Sequence, residues 1–165
     1  MKKSLRLVMF AAVAFMLCFS SCTKDPEKLI VGKWKVVSAR SSDIDNVSDD
    51  KGETWTFKEN GAFEGHFSFL EGNGEGDGIG DAGDIECRYT CDGNTITLRG
   101  GDLEGTMHDY SYDYYTNYEF VFTFDIDEIT SDVLSISGKV KGSMTDSEGY
   151  SESSMYKLSY ELEKK

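Results

Sequence analysis

At 165 residues, the chain is long enough to bury a core of its own, and one domain is expected rather than two. Thirty acidic against 17 basic side chains leave a formal charge of −13, so the chain repels phosphate backbones and lacks a basic stripe to neutralise them. Nucleic acid is therefore disfavoured as a partner, and so is an anionic lipid surface, unless something other than charge draws the chain there.

The first 21 residues supply that something. Lys2, Lys3 and Arg6 precede an apolar run from Leu7 to Phe19, which stops at Ser20-Ser21-Cys22, the order of parts in a secretory signal. A spanning helix needs about 20 consecutive apolar residues, and this run is shorter. Phe19-Ser20-Ser21-Cys22 resembles the lipobox of bacterial lipoproteins. That resemblance implies cleavage before Cys22 and acylation of its thiol, and two or more acyl chains hold a protein stably to a membrane. Thr23, rather than Asp, follows Cys22, which by the sorting rules of such lipoproteins implies an outer-membrane, cell-envelope address. With residues 1–21 removed, 14 basic and 30 acidic groups remain and the charge becomes −16. Residues 22–28 read as a lipidated tether, with the one proline at Pro26, and residues 29–165 as the folded domain.

From there the hydrophobic period is two, as half-buried strands require. Trp34 and Val36 alternate with Lys33 and Lys35, and Trp55 and Phe57 with Thr54, Thr56 and Lys58. Asn60-Gly61 predicts a tight hairpin into Phe63, Gly65, Phe67 and Phe69, because both turn residues tolerate positive φ. Residues 70–84 are mostly glycine and acid and predict a mobile loop, with only a faint likeness to calcium-binding repeats. Ile85, Cys87, Tyr89 and Cys91 then share one face, and Asp92-Gly93-Asn94 turns the chain into Thr95–Leu98.

Cys87 and Cys91 lie four residues apart, which in an extended strand is too far for a disulfide unless the chain bends, so free buried thiols are expected. Tyr118, Phe120, Phe122, Phe124 and Ile126 form the clearest alternation in the chain, followed by Leu134, Ile136 and Val140 and finally by Tyr156, Leu158, Tyr160 and Leu162. No helix is predicted.

The tally is eight strands, near 31–38, 53–58, 62–69, 85–91, 94–99, 118–127, 133–141 and 155–163, joined as successive hairpins. An all-β, eight-stranded antiparallel up-and-down barrel is expected, since closure removes the exposed edges of so long a sheet; a two-layer β-sandwich is the alternative. Gly32-Lys33-Trp34, on the first strand and ahead of a long polar loop at 39–52, resembles the Gly-x-Trp signature of lipocalins. The resemblance implies a lipocalin-like barrel in which Trp34 packs across the closed end and the loop lids the mouth. No arginine late in the chain matches the one that stacks on that tryptophan in lipocalins.

Two functions follow as expectations. In the first, a barrel lined by Trp55, Phe57, Phe63, Phe67, Tyr89, Phe120, Phe122, Phe124 and Tyr156 holds a small apolar or aromatic molecule. In the second, those rings fill the interior and the loops near 39–52, 70–84, 102–117 and 142–155 meet a protein or glycan. Tyr110, Tyr112, Tyr114, Tyr115 and Tyr150 suit such loops, each offering apolar area with a polar tip. Nucleophile elbows, phosphate loops, dinucleotide fingerprints and zinc-protease motifs are missing from the sequence, and His66 and His108 stand in no metal-binding spacing with the cysteines, so neither enzyme, cofactor nor metal is expected.

Overall fold

The computed structural model describes residues 25–70, 83–109 and 114–165. Cys22 and the residues before it, most of the acidic stretch at 70–84, Tyr110 and Tyr112 lie outside the described residues. Nine strands follow one short helix: α1 (Pro26–Ile30), β1 (Gly32–Ser41), β2 (Thr54–Phe57), β3 (Ala62–His66), β4 (Asp84–Asp92), β5 (Thr95–Arg99), β6 (Glu104–Asp109), β7 (Tyr114–Ile129), β8 (Val133–Asp146) and β9 (Ser151–Lys164). Neighbours pair antiparallel in the order β5-β4-β3-β2-β1-β9-β8-β7-β6, and an additional β5–β7 pairing closes the ring. The protein is an all-β, eight-stranded antiparallel barrel with one extra strand, β6.

Strand β7 explains how nine strands make an eight-membered ring. Its second half, Phe122–Asp125, pairs with β5, and its first half, Tyr114–Glu119, pairs with β6. The two partners therefore follow one another along the same edge of β7. Beyond the ring, β7, β8 and β9 run on together, with Thr116 to Glu119 opposite Ser143 to Asp146 and those opposite Ser151 and its neighbours. Segments 102–117 and 142–155, expected as loops, are thus mostly hairpin strands.

Alternation sets the inside and the outside. Trp34, Val36, Trp55, Phe57, Phe63, Ile85, Ile96, Leu98, Phe122, Phe124, Leu134, Ile136, Val140, Tyr160 and Leu162 are all shielded from solvent. The strand β1 changes face at a bulge between Val36 and Ser38, so that Ala39 rather than Ser38 turns inward. Strand β3 ends sooner than its alternation suggests. After His66 the chain turns through a single 3-10 turn at Ser68–Leu70, yet Phe67 still enters the core.

The ends of the barrel are built differently. Helix α1, which overlaps the expected tether and the start of the domain, is started by Pro26 and capped by Asp25, whose carboxylate accepts the Glu27 N–H at 3.3 Å. It buries Ile30 beneath the barrel and packs against β4 and β7. At the opposite end, a 3-10 turn at Asp45–Asp50 folds inward on Val47 and Asp50, both fully buried.

Candidate functional site

The closed end centres on Trp34. Its indole N–H donates to the Ile30 carbonyl at 2.6 Å, which ties strand β1 to helix α1. Above the ring stands Lys164, its Nζ 4.2 Å from the centroid, a cation–π distance. The same ammonium donates to the carbonyls of Leu29 and Val31 at 2.9 and 2.6 Å. Desolvation lowers the Lys164 pKa, but those carbonyls still supply acceptors for its charge.

Gly32 makes the arrangement possible. Its φ is +132°, and a Cβ there would stand 2.9 Å from the Lys164 Cε and Nζ. A lysine thus stands over Trp34, and its signal in the sequence is a cation at the end of the last strand, two residues after Leu162.

Seven of the nine candidate cavity residues, Trp55, Phe57, Phe63, Phe67, Tyr89, Phe122 and Phe124, form one connected set of rings inside the barrel. Trp55 lies 4.6 Å from Tyr160, 4.9 Å from Phe67 and 5.6 Å from Phe63, centroid to centroid. Phe67 stacks on Phe122 at 4.5 Å, Phe57 meets Phe63 at 5.0 Å and Tyr89 at 5.1 Å, and Phe124 meets Tyr160 at 5.9 Å. These are the separations of rings in contact. Phe120 meets Tyr118 at 6.3 Å, and Tyr156, opposite Val140, is half-buried against the core.

A polar knot seals the loop end. Asp50 accepts the Ser68 N–H at 2.6 Å and the Ser68 hydroxyl at 2.5 Å on one oxygen, and the Tyr160 hydroxyl at 2.8 Å on the other. Asn46 adds a bond from its amide to the Ser68 carbonyl at 2.8 Å. Burial pushes the Asp50 carboxyl above its usual range even though these donors and the nearby His66 oppose the shift. The Tyr160 hydroxyl is driven well upward by burial and by the Asp50 charge. Nothing in the sequence distinguishes Asp50 from the other acids, because its burial depends on a turn that is only polar in composition.

Cys87 and Cys91 are free thiols, as expected. Burial pushes Cys87 up to about 12 and Cys91 up to about 11, so neither is a thiolate nucleophile near neutral pH. His66 lies within 3.1 Å of the Asp84 carboxylate, and its backbone carbonyl accepts the Trp55 indole N–H at 3.2 Å. Among the described residues, no three His, Cys, Asp or Glu side chains are disposed to hold a metal ion, and no helix is long and apolar enough to cross a membrane.

Arg40, Lys139 and Lys157 surround an open depression of about 530 Å³ floored by Ser137, Gly138 and Ser159. Of the expected loop tyrosines, Tyr115 and Tyr150 are exposed, at 48% and 70%. Comparison of the chain with protein-family models, with curated proteins and with solved structures finds no match.

Proposed function

We propose that the chain is a lipid-anchored protein of the bacterial envelope, held by acyl chains on Cys22, whose lipocalin-like barrel is a solid scaffold for recognition at its far end. The lipobox-like Phe19-Ser20-Ser21-Cys22 supports the anchor. Gly32, Trp34 and the cation over Trp34 support the lipocalin-like reading, with Lys164 standing where that family carries an arginine.

The observation that carries the scaffold reading is the contact among the interior rings, centred on Trp55. With α1 closing one end and the Asp50 knot the other, a carrier would have to unpack aromatic contacts to admit a guest, each worth about 0.5–1.5 kcal/mol beyond its buried area. Recognition then falls to the extension formed by β6 to β9, where Tyr115 and Tyr150 present apolar area with polar tips to protein or glycan. A carrier role has its own support in three half-buried side chains, Met107 and Tyr118 near Phe120 and Tyr156 on β9, against which a small apolar molecule could seat.

Native mass spectrometry of the full chain in neutral detergent separates the readings. The expected spectrum is the acylated protein alone, with photo-crosslinkers at positions 115 and 150 capturing an envelope protein or glycan in cells. A stoichiometric apolar molecule, lost on Tyr156→Ala, would reverse the assignment in favour of a carrier.

A further inference from the structure

Strand β9 has two neighbours along its second half and one along its first. β8 pairs with it as far as Ser151, whereas β1 leaves it at the pair Ser41 and Leu158. Side chains end the β1 ladder. The Asp43 carboxylate accepts the Lys157 N–H at 3.0 Å, and the Ser41 hydroxyl donates to the Lys157 carbonyl at 2.8 Å. These two bonds set the phase of the strand, because they show that the backbone groups of Lys157 point away from β8. The register with β8 runs unshifted from there to Ser151, so the N–H and C=O groups of Met155, Ser153 and Ser151 point the same way. At the tip the Asp146 N–H bonds the Tyr150 carbonyl at 3.0 Å, which agrees that the even-numbered residues are the ones that bond β8. Among the described residues, the three outward N–H and three outward C=O groups of Ser151, Ser153 and Met155 have no hydrogen-bond partner.

Sheets commonly guard such an edge with proline, lysine or a bulge. Between Ser151 and Tyr156, β9 has none of the three. The one charge on that stretch is Glu152, which shares the inner face with Ser154 and Tyr156, in step with the buried Leu158 and Tyr160. On that face the register sets Met144 opposite Glu152, Tyr118 opposite Met144, and Asp146 two residues beyond Met144. The nearest cations in the register, Lys141 and Lys157, belong to the other face, where they flank Met155, 59% exposed. Glu152 therefore has no cation beside it on its own face, and Met155 has apolar surface in water next to backbone groups that lack partners.

We propose that the free edge of β9 receives an extended segment of a partner polypeptide as an added strand, with an apolar residue opposite Met155 and a lysine or arginine opposite Glu152. The inference rests on the reading that the extension is the recognition end, and it narrows the partner there from protein or glycan to a polypeptide. Donors and acceptors that alternate at ladder spacing along one line match another backbone, and a sugar has no such repeat. A second copy of the chain is opposed by its own charge of −16 after residue 21, whereas a cation-bearing segment is drawn to it.

Residue-resolved hydrogen exchange of the full chain in neutral detergent tests this, with two blocked heptapeptides of alternating valine and threonine whose central residue is lysine in one and glutamate in the other. In the free chain the amides of Ser151, Ser153 and Met155 are expected to exchange fast and those of Glu152, Ser154 and Tyr156 slowly. The lysine peptide slows the three fast amides saturably, by about tenfold or more, and the glutamate peptide does so more weakly. Ser153→Pro removes one outward N–H at an edge position where proline is tolerated, and it abolishes the slowing at 151 and 155, while Ser153→Ala retains it. Glu152→Lys reverses the preference between the peptides. Slowing by neither peptide, or slowing that Ser153→Pro leaves intact, overturns the proposal. So does protection of the same amides without peptide that grows with protein concentration, which would assign the edge to a second copy. Crosslinkers at positions 115 and 150 that capture the same partner from Ser153→Pro as from the parent would leave recognition at the extension standing and end strand addition.

Discussion

Asp50 shows what one residue costs and secures. Its carboxyl titrates above the unfolded value of about 3.9 because burial penalises the charge more than three donors repay. A raised carboxylate pKa means that, between the unfolded and folded values, the native state holds a proton the unfolded chain has released. Stability therefore falls as pH rises through that window and levels off above it. Asp50→Asn keeps an acceptor for Ser68 and removes the charge, so its stability relative to the parent is expected to climb with pH across the same window. Urea unfolding at a series of pH values from 3.5 to 7 checks the sign, and a relative stability that falls with pH would show the carboxylate to be net favourable. Asp50→Ala, by contrast, leaves the Ser68 N–H and the Tyr160 hydroxyl without their acceptor, at about 1–3 kcal/mol for each group. None of this could be read in the sequence, where Asp50 is one acid among many in a polar stretch; Trp34 and Trp55 could, because alternation marks inward positions directly.

At the scale of elements, alternation identified all eight strands of the ring, and it failed where a strand lacks an apolar face. Glu104–Asp109 has no inward row beyond Gly105 and Met107, so β6 read as loop; it is a strand because β7 outruns β5 and offers six further residues a partner. Helix α1 escaped for a related reason. It is one turn long, and only its cap, proline and buried Ile30 mark it. Gly138 governs the contact between β7 and β8. A Cβ there would lie 2.0 Å from the Thr123 carbonyl oxygen and 2.7 Å from the Phe124 Cα, backbone atoms that no rotamer change can move. Gly138→Ala is expected to destabilise by at least about 1–3 kcal/mol, the range for forced overpacking. A thermal or urea midpoint equal to the parent's would mean that the two strands can separate without loss.

For the whole molecule, the chain's course fixes which end an acyl anchor would hold. Asp25, the cap of α1, lies at the closed end beneath Trp34, and Cys22 stands three positions before it in the chain. Three residues of extended chain reach about 10–11 Å. Acylation of Cys22 would therefore bring the closed end to the bilayer surface and turn the other end outward. From there β8 and β9, 14 residues each, carry the turn before Tyr150 up to about 45 Å along the strands, less the tilt of the barrel. The two native thiols make this measurable, because their raised pKa values keep them unreactive at neutral pH while an introduced surface cysteine is labelled. Ser131→Cys lies in the turn between β7 and β8 at the closed end, and Glu148→Cys in the turn between β8 and β9. With the labelled protein bound to vesicles that carry an energy-transfer acceptor among their headgroups, the probe at 131 is expected to transfer strongly and the probe at 148 weakly. Cys22→Ser should abolish both signals by releasing the protein from the vesicles. Equal transfer from the two positions would mean that the barrel lies on its side, and the reverse order would mean that the end carrying Tyr150 faces the membrane.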